Sequence, residues 1–285
     1  MKTAIIILNY NDYKTTIEMI NQIKDYKVLN NIIIVDNNSN DNSYEILKEY
    51  EKDNIEIVKT DDNKGYAYGN NYGIKYAIDK YNVDNIIISN PDIIVSEKDI
   101  NKLIKNINDN DIDLIAPVID EHGVLSKGWK VPTFKYDFLS NINYFHKYAE
   151  NIIKYNEDYY KDVLTRVDVV KGCFFIIKSN VLKEINYFDE NTFLYYEENI
   201  LGKKLNNKGF KSYINNDVIV KHNLSVSVDK SINSLKKYKI LKKSQRYYEK
   251  EYNKLNIFGM FLLYISYYIS YFIAYIIYLF RRHNK

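Results

Sequence analysis

The sequence predicts an α/β protein: a doubly wound mixed sheet flanked by helices, ending in a hydrophobic helix associated with a membrane. Three observations lead there. From residue 1 to about 118, short β-branched apolar runs alternate with segments whose apolar positions recur at helical spacing. Polar clusters follow those runs directly, at the carboxyl ends of strands, where sheets of this kind bind ligands. Residues 257–280 are 24 consecutive positions without a charged side chain.

Strands are expected at 3–8, 32–35, 55–59, 85–89 and 114–118. Most are apolar on both faces, as parallel strands covered by helices are. Helices are expected over 15–23, 43–50, 71–81 and 96–107. The last opens on Ser96 with Asp99 three residues on, a capping-box-like pair. Residues 119 to about 165 are less regular and carry the one tryptophan, Trp129, near Gly123, Gly128 and Pro132. They read as a loop-rich insertion. A second ordered block follows, with a strand at 173–178, helices at 181–185 and 198–208, and a short strand at 218–220. The chain thus divides into an α/β domain over 1–225, with halves 1–118 and 119–225, a helical, basic connector over 226–256 and the hydrophobic segment 257–280.

That last segment is preceded by Lys254 and followed by Arg281, Arg282, His283 and Lys285. Its length can span a bilayer. Yet Tyr264, Tyr267, Tyr268, Tyr271, Tyr275 and Tyr278 fall on one side at helical spacing. Such a stripe suits a helix in the headgroup interface, or a spanning helix whose tyrosines pack on protein. A buried core helix is the remaining alternative.

Composition narrows the function. With 46% hydrophobic and 27% charged residues, a packed core is feasible. A net charge of +3, with no basic block interleaved with aromatics, argues against nucleic acid as a partner. One cysteine, Cys173, excludes an internal disulfide and a cysteine zinc site, and its apolar setting predicts a buried, inert thiol. The apolar run at 4–8 is too short for a signal peptide. A cytoplasmic location is expected, at the inner face of the cell membrane.

Four clusters carry candidate chemistry. Asn90-Pro91-Asp92 follows an apolar strand. A carboxylate there can hold a divalent metal whose other ligands are phosphate oxygens and water, although Asp after Pro is also ordinary turn chemistry. Asp36 ends another strand, where an acid can accept from ribose hydroxyls or a base N–H, while Ser39 or Asp41 caps the next helix. The stretch 63–73 holds Gly65, Gly69 and Gly73 among the chain's nine glycines. A glycine turn opening a helix offers N–H groups to phosphate, and a surface loop is equally compatible. It is neither GxGxxG nor a Walker loop, which excludes a Rossmann dehydrogenase and a P-loop NTPase. Glu197 and Glu198 open a helix, where adjacent carboxylates supply a general base with a raised pKa or simply a solvated acidic N-terminus. His222 closes an apolar strand, as a core histidine or a neutral metal ligand.

In order, Asn9-Tyr10-Asn11, VDNNSND, NKGYAYGNNYGI, NPD, GCFFIIK, FDENTFLYYEEN, KGF and VKH resemble family 2 glycosyltransferases, most of all the bacterial rhamnosyltransferase and exopolysaccharide branch. The resemblance covers about residues 3–225. It implies a GT-A fold, an inverting transfer from a UDP- or dTDP-linked sugar, and Mg²⁺ or Mn²⁺ as cofactor. The first half of the domain would bind the nucleotide and the second the acceptor, a lipid-linked glycan or an oligosaccharide. It implies donor contacts from Asn9, Tyr10, Asn11, Asp36, Asn38, Asn63, Gly65, Gly69, Asn71 and Asn90, and metal contacts from Asp92 and His222. Glu198 falls at the catalytic base, with Glu197 and Trp129 on the acceptor side. Three positions depart from the family pattern: Ile200 stands where an Asp is usual, Lys204 where an Arg is usual, and Asn90 where a DxD motif has its first acid, although NPD is familiar in this branch. A binding protein that keeps the fold without catalysis stays compatible with those departures. A nucleotidyltransferase would need a basic loop after the first strand, and 9–12 is not basic.

Overall fold

A computed structural model of the chain describes residues 1–223 and 234–283. Four parallel strands form the first half of the sheet: β1 (Thr3–Asn9) lies between β2 (Asn31–Asp36) and β4 (Asn85–Ser89), and β3 (Ile55–Lys59) pairs with the outer side of β2. β9 (Phe174–Lys178) runs antiparallel between β4 and β6 (Leu114–Glu121), which makes the sheet mixed. β10 (Ser212–His222) runs parallel to β6 with a shift of register between Asn215 and Ile219. β5 (Ile93–Ile94) and β8 (Leu164–Val167) pair antiparallel with β10, and β7 (Val124–Ser126) forms a hairpin on β6.

Alternation along the strands fills two cores. Ala4, Ile6, Ile33 and Val35 face α3 (Tyr66–Tyr81), while Ile5, Ile7, Ile32 and Ile34 face α1 (Tyr13–Ile23) and α4 (Glu97–Asp109). Both faces are buried, which is why the strands read as unbroken apolar runs. α2 (Ser43–Lys48) follows β2, and α4 has the expected cap, Ser96 Oγ accepting from Asp99 N at 3.1 Å.

Several expectations need correction. α3 starts at Tyr66, so most of the glycine stretch is helix. A Cβ on Gly69 would lie 2.4 Å from Leu8 Cδ1, so this glycine lets the helix approach the sheet closely. The region read as loops contains α5 (Phe134–Ser140), α6 (His146–Ile153) and two 3₁₀ turns. The short strand at 218–220 is the end of the longer β10. α7 (Ser179–Glu184) and α8 (Glu197–Lys208) fall where helices were expected.

The expected boundary at 225 and the connector's residues 226–233 lie outside the described residues, as does Lys285. From 234 the connector is α9 (Ser234–Glu251). It packs against α10 (Ile257–His283), which also contacts α5. Tyr238 stacks on Tyr267 and Tyr271, so part of the tyrosine stripe meets protein. Among the described residues, no helix is long and apolar enough to cross a membrane.

Candidate active site

The site lies along the carboxyl ends of β1, β2 and β4 and continues to the end of β10. Asn9 and Asp36 are register partners. Asn9 Nδ2 donates to Asp36 Oδ1 at 2.8 Å, and the Ser39 N–H donates to Asp36 Oδ2 at 3.0 Å. Thr16 Oγ1 donates to Asn9 Oδ1 at 2.9 Å. Asn9 and Asp36 are both fully buried. They therefore shape the 36–41 turn from beneath. The groups above them are Tyr10, Asn11 and Asn38, all partly exposed. Asn11 and Asn38 adopt left-handed φ of 53° and 54°, a conformation asparagine tolerates.

Asn63 and Gly65 close the second wall. Asn63 Oδ1 accepts from Gly65 N and from Asn37 Nδ2, each at 3.1 Å. Gly65 has φ of 107°, and a Cβ there would lie 2.1 Å from the carbonyl oxygen of Phe193. The next N–H, of Tyr66, donates to that oxygen at 3.0 Å. This contact ties the donor-side loop to the segment leading into Glu198. Asn71 is turned inward. It is buried, its Nδ2 donates to Phe188 O at 3.0 Å and Glu190 Oε1 at 2.7 Å, and its Oδ1 accepts from Phe188 N. It anchors the 188–190 segment.

Asn90 donates its backbone N–H to Cys173 O at 2.8 Å, which fixes the turn carrying Asp92. β10 pairs His222 with Ile93, so the strand end arrives beside that turn. His222 Nε2 lies 3.1 Å from Asp92 Oδ1, and Nδ1 lies 2.7 Å from Glu121 Oε1. Glu121 also pairs with Lys171. Burial works against a charge on His222, but the Asp92 carboxylate and the Cys173 sulfur outweigh it and push its pKa up to about 10. Burial likewise opposes a charge on Glu121, and Lys171 and His222 together hold it below the usual carboxylate range.

Asp92 and His222 converge on one point, and Glu121 fixes the imidazole from behind, the carboxylate–histidine arrangement that orients metal ligands. One carboxylate and one imidazole, once His222 gives up its proton to the incoming cation, suit Mn²⁺ or Mg²⁺ when diphosphate oxygens and water complete the shell. Among the described residues, no group of three or more His, Cys, Asp and Glu is arranged to hold a metal. The two protein donors fit a cation shared with a ligand.

Lys171 and Gly172 carry the chain from this corner to Glu198. A Cβ on Gly172 would lie 3.8 Å from Glu198 Oε2, and the Tyr66 hydroxyl donates to Gly172 O at 2.9 Å. Burial raises the Glu198 pKa, and the Lys171 charge moderates the rise. Burial and the Glu198 charge push buried Glu197 up to about 8. Glu198 keeps partial exposure. Trp129 Nε1 donates to Asn199 Oδ1 at 2.8 Å, so Trp129 contacts the residue next to Glu198. Trp129 and Tyr136 line a cavity of about 460 Å³ with Tyr155, Tyr160, Glu150 and Lys127.

The departures at Ile200 and Lys204 have a structural reason. Ile200 is buried against Tyr196 and Tyr248, so α9 occupies the place a charged side chain would need. Lys204 Nζ donates to the carbonyls of Asn186 and Tyr187, two residues with positive φ. Neither Glu121 nor Lys171 lies in a motif, so no local signal marks them in the sequence.

The family model described as Glycosyl transferase family 2 matches residues 4–185. The low-salt glycan biosynthesis hexosyltransferase Agl10 of Haloferax volcanii is 27% identical over 199 residues, 68% of this chain and 58% of that protein. The chain therefore spans little more than half the length of that relative. Among solved structures, GalNAc-T7 with UDP, GalNAc and Mn²⁺ aligns with a TM-score of 0.66 at 15% identity, over 89% of this chain and 49% of that one. The mannosyltransferase PcManGT of Pyrobaculum calidifontis, with GDP-Man and Mn²⁺, aligns with a TM-score of 0.59 at 12% identity, over 94% and 69%. These likenesses establish a GT-A-like fold.

Proposed function

From the premise that this chain belongs to glycosyl transferase family 2, we propose that it moves a hexose from a nucleoside-diphosphate sugar to a hydroxyl of a glycan acceptor, with inversion. The acceptor is a lipid-linked glycan of cell-surface polysaccharide synthesis, met at the cytoplasmic face of the membrane. The observation that carries the reading is the continuous chain Asp92–His222–Glu121–Lys171, which passes through Gly172 to Glu198. It links the corner that would hold a diphosphate to the residue that would accept the proton.

Glu198 takes the proton of the acceptor hydroxyl as its oxygen attacks the anomeric carbon, and the bond to the diphosphate breaks on the opposite face. One displacement needs one base. A raised pKa brings Glu198 nearer to neutrality, where a general base works best. Asp92 and His222 would hold Mn²⁺ or Mg²⁺, which when bound neutralises charge on the leaving diphosphate. Asn11, Asn38 and Asn63 line the donor side, and Trp129 borders the acceptor side.

Glu198→Gln tests the reading. Transfer should fall by at least ~10²-fold with donor binding retained. Turnover near the wild-type rate would remove Glu198 from the role. A panel of nucleotide sugars screened by thermal shift with Mn²⁺ identifies the donor, since stabilisation grows with affinity.

A further inference from the structure

The C-terminal helix pair presents a surface that the transfer chemistry does not use. Leu263, Ser266 and Ser270 form the buried side of α10, and Asn141, the residue after α5, donates its Nδ2 to Ser266 Oγ at 2.8 Å. Phe272 comes about two and a half turns after Leu263, on the opposite side of the helix, and is 64% exposed. Phe258, Phe261, Ile265 and Ile276 share that outward side, all exposed.

Tyr264, Tyr267 and Tyr271 run along the flank between the two sides. α9 lies against them, with Arg246 4.4 Å from the Tyr267 ring centroid and Lys239 5.1 Å from that of Tyr271. α9 carries seven Lys and Arg against two Glu. Lys236, Lys239, Lys243 and Lys250 recur along its exposed side. An apolar stripe, a tyrosine border and a row of cations are the layers of a lipid interface, from acyl chains out to phosphate.

We propose that the α9–α10 pair docks this protein on an anionic lipid bilayer, with α10 lying in the interfacial plane. Charge decides the occupant. Anionic headgroups complement the lysine row, whereas a second copy would bring a like-charged row to the same interface. α9 is also fixed to the segment before Glu198. Ser244 Oγ donates to Leu194 O at 2.9 Å, and Tyr247 and Tyr252 donate to Asp189. Docking therefore sets the position of the cleft relative to the lipid. The value of that position for a lipid-linked acceptor rests on the transferase reading; the docking itself does not.

Flotation of the full chain with vesicles tests the proposal, using phosphatidylcholine alone or mixed with phosphatidylglycerol. The protein should float with the anionic vesicles and stay behind with the zwitterionic ones. Phe261→Ser combined with Phe272→Ser should abolish flotation. Lys236→Glu, Lys239→Glu and Lys243→Glu together should weaken anionic binding at least about a hundredfold, and high salt should weaken it too. Unchanged melting and donor binding in these variants separate a docking failure from a failure of the transferase reading. Absence of flotation, or equal flotation of the double Ser variant, overturns the proposal. So does a solution dimer that the double Ser variant disperses, which would make a second copy the occupant.

Discussion

Gly65→Ala is the sharpest structural test, because its cost has two separable parts. At φ of 107° and ψ of −174°, Gly65 occupies backbone space essentially reserved for glycine, which costs a non-glycine residue about 1–3 kcal/mol. The added Cβ would also meet Phe193 O at 2.1 Å and Phe193 Cα at 2.6 Å. Both are backbone atoms, so the 192–196 segment must shift. The hydrogen bond from Tyr66 N to Phe193 O is then lost, at about 1 kcal/mol. The sum is about 2–4 kcal/mol, or roughly 5–12 °C in melting temperature for a domain of this size. Gly123→Ala supplies the control. Its φ is 87°, but a Cβ there meets nothing within 4 Å, so it bears the backbone term alone. Since the displaced segment leads into the helix that carries Glu198, Gly65→Ala should also lower turnover by more than its effect on donor binding. Thermal melting and transfer assays read both. A Gly65→Ala protein that melts no lower than Gly123→Ala would refute the claim that this contact joins the two walls.

Glu121→Gln weakens the hold on His222 Nδ1 and should raise the Mn²⁺ or Mg²⁺ concentration for half-maximal transfer by about 10–100-fold; an unchanged metal titration counts against the Asp92–His222 corner. Ile200→Asp restores the acid usual in the family but sets it against Tyr196 and Tyr248. It should destabilise the fold by about 3 kcal/mol or more and not raise activity; a stable, more active variant would show that the departure is not dictated by packing. Asp137 Oδ2 and Glu249 Oε2 have no donor among the described residues, which two facing carboxyls resolve by sharing a proton. Burial, with the facing Asp137, pushes Glu249 up to about 9. The folded state thus binds the extra proton, and stability present at low pH is lost as pH rises toward 9. Glu197, also raised, adds to the fall. Lys242, lowered by burial to about 8, acts in the opposite direction only above that pH. Melting temperature should therefore fall between pH 5 and 8, and less so in Glu249→Gln; an equal slope in both proteins refutes the shared proton.

The parts of the site that follow a local rule could be read from the chain. Asp36 and Asp92 end apolar strands, Glu198 opens a helix, and each position follows from residues within a few places of it. What escaped reading depends on pairing across the fold. Glu121 reaches His222 over 101 residues because β10 is longer than its apolar core at 218–220. Its bulge between Asn215 and Ile219 breaks the alternation that would have announced it. Gly69 looks like a breaker in sequence, yet it stands within a helix because Leu8 needs the space. Asn9 and Asn71 are polar residues at strand and helix ends that turn inward to hold other loops, and only their partners distinguish them from ligand contacts. Tyr278, the last of the tyrosine stripe, and the cations Arg281 and Arg282 have no described side-chain surroundings.

The corner before Glu198 ties the C-terminal helices to the residue proposed as the base. Tyr195 and Tyr196 are consecutive non-glycine residues at φ of 72°, and such strain persists only where the surroundings over-determine it. The Tyr196 hydroxyl bonds Asp137, which also accepts from Gln245 of α9 at 3.1 Å. The Tyr196 ring packs on Tyr248 with centroids 5.5 Å apart, and Tyr248 OH donates to Pro132 O at 2.9 Å. Asp137 of α5 and Gln245 and Tyr248 of α9 thus hold the corner from outside. Removing the chain from 234 onward would therefore do more than uncover a surface. Tyr196 would relax toward an unstrained conformation, and Glu198, two residues on, would lose its place opposite Gly172. A truncated chain should retain donor binding through the 36–41 and 63–65 loops but lose transfer. Full transfer to a soluble acceptor by such a chain would break the link between the α9 contacts and the base.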